Sequence, residues 1–302
     1  MKGWEEDRAL AKALNEIEKG DPPLWLPEER RSNASDSWVI GVTGSPGVGK
    51  STLVGGLVDL LLSEEHEVGV LAVDPTSPFS HGAFLGDRIR MQQNSLHPNL
   101  FIRSVGSHDC VGGLSESIFD MVCAMEAYQK KYIIIETVGA GQSDLDIMYI
   151  ADCILLVLSP GSGDEVQIYK AGIMEIADIY AINKSDLPGI EKMVRDIQEL
   201  LMAEHSNEPW KRKLICTQAL RKKGIQDLWA SIQDHQRIMR QSEKANRKRE
   251  LRDRKHLEAI LQQKIKQRLE QVPKDLYPSF HEHMATCMDT WYAKISREGE
   301  KV

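Results

Sequence analysis

Gly44, Ser45, Pro46, Gly47, Val48, Gly49, Lys50 and Ser51 run consecutively, and together they fit the pattern G-x-x-x-x-G-K-[ST]. A loop of this kind turns its backbone N–H groups inward around the phosphates of a nucleotide. Its lysine reaches the outer phosphates and its hydroxyl sits on Mg²⁺. The flanks supply the context that the pattern requires. Residues 37–43, SWVIGVT, read as a buried strand, and 51–62 read as a helix. The N-terminus of that helix adds free donors and a positive dipole end to an anion site. Thr52, next in the helix, belongs to the same nucleotide-binding set.

Moving outward, short apolar runs recur at 68–73, 100–105, 132–136, 153–158 and 179–183, with helical stretches at 116–130, 165–177 and 191–205 between them. The runs are nearly continuous in their hydrophobicity instead of alternating, which suits strands covered on both faces in a parallel sheet. The expectation is an α/β P-loop NTPase, a doubly wound and mainly parallel sheet flanked by helices. Ligands then belong beyond the carboxyl ends of the strands.

Both ends of the chain read as helical extensions. Leu10, Leu14 and Ile17 fall at i, i+4 and i+7 in a helix closed by Gly20, after which Asp21-Pro-Pro begins a linker. Past about residue 235 the chain loses Gly and Pro until 271, and Leu257, Leu261, Ile265 and Leu269 recur every four residues. That spacing predicts one or two long helices with a narrow apolar stripe. The basic stretch 244–255 within them reads by default as a solvated helix face. The expected division is 1–35 for an N-terminal extension, 36–235 for the nucleotide domain and 236–302 for a C-terminal arm.

With 38 Lys and Arg against 45 Asp and Glu, the net charge is −7, which argues against nucleic acid as the main partner. No run of about 18 apolar residues suggests a membrane span, and the first residues carry no signal-like apolar stretch. Five cysteines are scattered without a C-x-x-C pair, as expected of idle thiols in a reducing cytoplasm.

A phosphate loop does not tell ATP from GTP. Asn183, Lys184, Ser185 and Asp186 do, because N-K-x-D after a strand is the guanine-reading pattern. A carboxylate there accepts two hydrogen bonds from the guanine N1–H and exocyclic amine, a donor pair that adenine lacks. Asp186 is the expected reader, Asn183 the brace of the loop, and the Lys184 stem lies along the base. Thr217, Gln218 and Ala219 occupy the place of the second guanine loop, with a weaker fit. Asp74 and Glu136 each close a predicted strand, where a carboxylate suits Mg²⁺; capping of the next turn is the alternative for either. Ala140 follows Gly139 where Ras-like GTPases carry a water-orienting glutamine. Gln142 lies two positions late. Ser45 stands where deviant phosphate loops of the partitioning and arsenite-pump ATPases carry a lysine, which disfavours that branch.

Taken together, these segments resemble the MeaB/ArgK family of P-loop GTPases, auxiliary chaperones of adenosylcobalamin-dependent acyl-CoA mutases. Residues 74–91 look like that family's segment containing switch I, 136–144 like its switch II, and 163–178 like its switch III. The resemblance implies that Lys50, Asp87 and Glu136 serve catalysis and that Ser51, Asp74, Asp87 and Glu136 hold or approach the metal and its waters. It further implies that Asp164, Glu165 and Lys170 are the charged residues of switch III. The long C-terminal helices look like the arm through which members dimerise. His81-Gly82 replaces the usual Gly-Gly, and 107–114 keeps only the Gly-Gly-Leu end of its motif. Losing a glycine removes conformational freedom from the switch I segment.

The function implied by the resemblance is that of a cytoplasmic homodimeric GTPase using GTP/GDP and Mg²⁺, a metallochaperone gating adenosylcobalamin delivery to, and protection of, a B12-dependent acyl-CoA mutase. Two other readings stay open on the residues: a transport-system protein kinase of the ArgK type, and a nickel or cobalt metallochaperone GTPase. The guanine signature counts against the first. Dispersed histidines and the lack of a Cys-rich tract count against the second.

Overall fold

The computed structural model describes residues 2–19, 36–75, 97–107, 116–137, 146–161, 172–203 and 209–270. Seven parallel strands form one sheet: β1 (Trp38–Thr43), β2 (Val68–Pro75), β3 (Leu100–Ser107), β4 (Tyr132–Glu136), β5 (Cys153–Leu158), β6 (Ile179–Ile182) and β7 (Lys213–Cys216). Their spatial order is β3-β2-β4-β1-β5-β6-β7. β1 sits in the middle, paired in parallel with β4 on one side and β5 on the other. The chain first builds outward from β1 to β2 and β3, then returns through β4 and crosses to β5. That reversal puts the loop after β1 at the place where a doubly wound sheet binds its ligand.

Burial on both faces explains the continuous apolar runs. Ile40, Val42, Ile134, Leu155 and Val157 point into one core with Leu53, Leu57 and Leu61 of α2 (Lys50–Ser63) and Leu228 and Ile232 of α6 (Ile225–Gln241). Their neighbours Val39, Ile133, Ile135 and Ile154 point the opposite way. There they meet Leu10 and Leu14 of α1 (Lys2–Glu18) and Met121 and Met125 of α3 (Glu116–Ala127). Successive side chains of a strand alternate in direction, so a strand sandwiched by helices must be apolar at every position. A third core joins Leu156, Leu158, Tyr180 and Ile182 to the short helix α4 (Ile173–Ile176) and to α5 (Ile190–Ala203).

One strand departs from the sequence reading. β7, KLIC, is absent from the strands that the sequence predicts; it is a four-residue edge, half-buried and ending exposed, so its burial leaves little periodic signal. The C-terminal helical region is two helices, α6 and α7 (Lys244–Glu270). α6 begins at Gly224, whose φ is 75° and where a Cβ would lie 2.3 Å from the Cys216 carbonyl oxygen, so only glycine fits.

The chain separates into two compact units, Met1–His256 and Leu257–Val302. Residue 235 lies within α6. In the second unit Leu257, Leu261, Ile265 and Leu269 are 57%, 52%, 58% and 38% exposed. No helix among the described residues is long and apolar enough to cross a membrane.

Candidate functional site

The phosphate loop leaves β1 and enters α2 through backbone conformations that select glycine. Gly44 has φ 142°, and a Cβ there would lie 2.1 Å from the Val157 carbonyl oxygen of β5. Gly49, the N-cap of α2, has φ 97°, and a Cβ there would meet the Asn183 Nδ2 at 2.4 Å. Both positions are thus closed to larger residues by space as well as by backbone strain. Lys50, the first residue of α2, is buried. Its Nζ donates to the carbonyl oxygens of Gly44 at 2.7 Å and Ser45 at 3.1 Å, so its ammonium lies inside the curve of the loop.

Ser51 follows on the first turn of α2. Its Oγ donates to the Glu136 Oε1 at 2.6 Å, joining the phosphate loop to the carboxyl end of β4 across 85 residues of sequence. The structure therefore brings together a hydroxyl and a carboxylate at the mouth of the loop, a hard-oxygen pair of the kind that suits Mg²⁺. Thr137, next after Glu136, is buried and donates its backbone N–H to the Val42 carbonyl oxygen at 3.0 Å, which fixes the end of β4 against β1. Asp74 is the penultimate residue of β2, at the same edge of the sheet. Its side chain lies outside the described residues, as do Asp87, Ala140, Gln142, Asp164, Glu165 and Lys170.

The residues expected to read the base assemble at the end of β6. Asn183 is buried, and its side-chain amide joins three loops. Nδ2 donates to the Val48 carbonyl oxygen at 3.0 Å, while Oδ1 accepts from the Ala219 backbone N–H at 3.0 Å and from Thr217 Oγ1 at 3.3 Å. Lys184, in a left-handed conformation with φ 55°, donates from Nζ to the Gly47 carbonyl oxygen at 2.7 Å. The Ser185 N–H donates to the Thr217 carbonyl oxygen at 3.1 Å. A cleft of about 700 Å³ runs between these parts, lined by Gly49, Ser51, Thr52, Lys184, Asp186 and Ala219 among others. All the described residues of the predicted nucleotide set thus come from the loops after β1, β6 and β7, at one edge of the sheet.

Sequence reasoning missed the basic side of the cleft. Arg221 places its Nη1 3.9 Å from an Asp186 carboxylate oxygen, and Lys222 pairs with Asp59 of α2 at 2.6 Å. The run Leu220-Arg-Lys-Lys223 carried a signal of charge. Nothing in it named Asp59, 163 residues earlier, as the partner.

Comparison with known proteins fits this geometry. The family model described as methylmalonyl-CoA mutase-associated GTPase MeaB matches residues 10–274. A putative GTPase of Pyrococcus horikoshii is 41% identical over 258 residues, which is 84% of this chain and 81% of that protein. The GTPase ArgK of Escherichia coli is 37% identical over 65% of this chain and 60% of its own length. Among solved structures, that of the LAO/AO transport system kinase superposes with a TM-score of 0.66 at 24% identity, covering 95% of this chain and 92% of that one. This last likeness is one of fold. A phosphate-loop pattern, an N-K-x-D pattern at the same edge of the sheet and a family match over most of the sequence lead to one conclusion: the chain is a GTPase and belongs to the MeaB family of mutase-associated GTPases.

Proposed function

We propose that this GTPase is a nucleotide-driven metallochaperone: its GTP cycle gates delivery of adenosylcobalamin to a B12-dependent acyl-CoA mutase and protects that enzyme. The observation that carries the reading is the single edge at which Lys50, the Ser51–Glu136 pair and the Asn183-centred base loop converge. The family's description as mutase-associated supplies the class of partner.

In this reading Asp186 accepts the guanine N1–H and exocyclic amine, and the loop 44–51 cradles the phosphates with its N–H groups. Thr52 and the loop Thr217, Gln218 and Ala219 complete the nucleotide contacts. The Lys50 ammonium, now bonded to the Gly44 and Ser45 carbonyl oxygens, turns toward the β- and γ-phosphates when they enter. Ser51 and Glu136, with Asp74 and Asp87, are the residues that would hold Mg²⁺ and its waters, and the bound ion would neutralise charge developing on the β- and γ-phosphates. Catalysis of this kind is positioning plus electrostatic stabilisation. Ala140 in place of a glutamine leaves the attacking water unoriented, so turnover is slow until the partner completes the site. Asp164, Glu165 and Lys170 then relay the nucleotide state to that partner. We assign the chain to the cytoplasm, as a homodimer formed through the C-terminal arm, in the division 1–35, 36–235 and 236–302.

The experiment is affinity capture from a native lysate with the full chain loaded with GTP or GDP, followed by turnover measurement with the captured protein. A B12-dependent mutase subunit recovered in one nucleotide state, raising GTP hydrolysis at least tenfold, is the expected result. Recovery of no such subunit in either state would overturn the reading. Stable transfer of phosphate from ATP to a binding protein would replace it with a kinase.

A further inference from the structure

At the edge of the sheet opposite to the nucleotide, three side chains that the GTPase chemistry leaves unused face one another. Cys153 begins β5, Asp178 precedes β6, and His235 lies on α6; their ligand atoms all fall within 4.8 Å of one another. Cys153 and His235 are completely buried. Nδ1 of His235 has no hydrogen-bond partner, its Nε2 meets the Asp178 carboxylate only at an ion-pair distance of 3.5 Å, and the nearby Trp210 and Trp38 rings pack edge-on to the imidazole at 4.9 and 5.9 Å. A fully buried imidazole with one nitrogen orphaned and the other held only by a 3.5 Å contact is under-satisfied and has room for a ligand.

We propose that Cys153, Asp178 and His235 form a binding site for one zinc-class divalent cation, separate from the nucleotide's metal. The separation of His235 and Asp178 suits it. Two donors each ~2.0–2.1 Å from a tetrahedral zinc lie ~3.4 Å apart, and the His235 Nε2 stands 3.5 Å from the Asp178 Oδ1. The other carboxylate oxygen is already used: Asp178 Oδ2 accepts from the Ile154 N–H at 2.9 Å and lies 3.4 Å from the Lys248 Nζ. Oδ1 is the oxygen turned to the cluster.

Thiolate, imidazole and carboxylate together select zinc or cobalt over Mg²⁺, which takes hard oxygen ligands. Asp178 is already ionised at neutral pH: against the desolvation of burial, the Lys248 ammonium, the neighbouring His235 and the Ile154 N–H hold its carboxyl down at about 2. Burial pushes the Cys153 thiol well up, so it enters the site protonated. Binding releases the thiol proton of Cys153 and forms a metal–sulfur bond. Ligation would tie the amino ends of β5 and β6 to α6.

The test is titration of the chelator-treated, GDP-bound full chain with Co²⁺. A thiolate-to-cobalt charge-transfer band saturating at one equivalent is expected, displaced by Zn²⁺ and indifferent to excess Mg²⁺. Cys153→Ser, remote from the nucleotide machinery, should lose the band while still binding GDP. His235→Gln should weaken cobalt binding more than about 100-fold, beyond the loss typical of an outer-shell partner. X-ray absorption of the zinc-loaded wild type gives a readout free of variants: one sulfur at about 2.3 Å with nitrogen or oxygen neighbours at about 2.0 Å. Absence of the band in the wild type, its persistence in Cys153→Ser, or a zinc shell without sulfur would each overturn the assignment.

Discussion

The two edges of the sheet use polar residues differently, and the short strand β6 connects them, with Asp178 just before its start and Asn183 just past its end. At the carboxyl edge the polar side chains bond largely to backbone: Lys50 to two loop carbonyls, Asn183 to Val48 and Ala219, Lys184 to Gly47. At the amino edge they bond to one another as well as to backbone, as Asp178 does to the Ile154 N–H. α7 lays Lys248, Arg252 and His256 at four-residue spacing against Asp178, Glu126 and Asp120. A site that must release its ligand keeps its charges near a cleft and holds its loops through amides. A joint that stays closed can bury its ions. The separation predicts that damage at one edge leaves the function of the other nearly intact.

The sharpest break is expected at Arg252. Its guanidinium pairs with Glu126 at 3.0 Å, with side chains only 12% and 5% exposed, and burial holds the Glu126 carboxyl above its ordinary value even so. Removing one partner of a buried pair strands the other charge, so Arg252→Ala should cost about 3–5 kcal/mol in denaturant unfolding. GDP affinity of the folded fraction should stay within about threefold, since sites without shared partners act nearly independently. A large loss of nucleotide affinity would show that the edges are coupled.

Lys50→Ala should do the converse. Single-turnover GTP hydrolysis should fall by about 10²–10³-fold, the typical loss of one preorganised donor to developing charge, while the unfolding midpoint moves little.

Asp186→Asn comes next. It exchanges an acceptor for a side chain that can donate, so GDP affinity should drop by about 100-fold, comparable to a lost charge-assisted hydrogen bond pair. Xanthosine diphosphate, which carries a carbonyl where guanine has its amine, should bind the variant better than GDP does. Equal weakening toward both nucleotides would remove Asp186 from the base site.

The smallest effect belongs to His256, whose Nε2 lies 2.8 Å from Asp120 and whose ring stacks on Phe119 with a 5.4 Å centroid separation. Against the desolvation that opposes charge, bonds to Asp120 and Cys123 raise this imidazole to about 10 from 6.5. A group raised on folding stabilises fully below its unfolded value and loses that contribution as pH climbs through its folded value. Solvent screening of a partly exposed pair reduces the full worth of that rise, so His256→Gln should cost about 1–2 kcal/mol near pH 6, and the gap to wild type should narrow as pH climbs from 6.5 toward 10. A pH-independent difference would assign the effect to ring stacking alone.

Much of the carboxyl edge was legible because its parts are contiguous in sequence. Residues 44–51 and 183–186 carry their geometry in fixed glycines, lysines and carboxylates, and the strands beside them are apolar throughout. The amino edge was not legible. Lys248 and Arg252 sit in a basic stretch that reads as a solvated helix face, yet they point at carboxylates 70 and 126 residues away in sequence. No local pattern distinguishes a lysine facing water from one facing a buried aspartate. The same holds for Cys153, His235 and Asp178, which come from separate elements with no spacing rule between them. β7 was missed for another reason: a strand that pairs on one side and is half exposed has neither the continuous nor the alternating signature.

The side chain of Asn183 is hydrogen-bonded at once to the phosphate loop through Val48 and to the second base loop through Ala219, and it packs where any side chain at Gly49 would fall. In the proposed binding mode, base and phosphates therefore rest on supports that share a single amide. Loosening at one end should then loosen the other, and departure of the nucleotide is expected to follow one exponential.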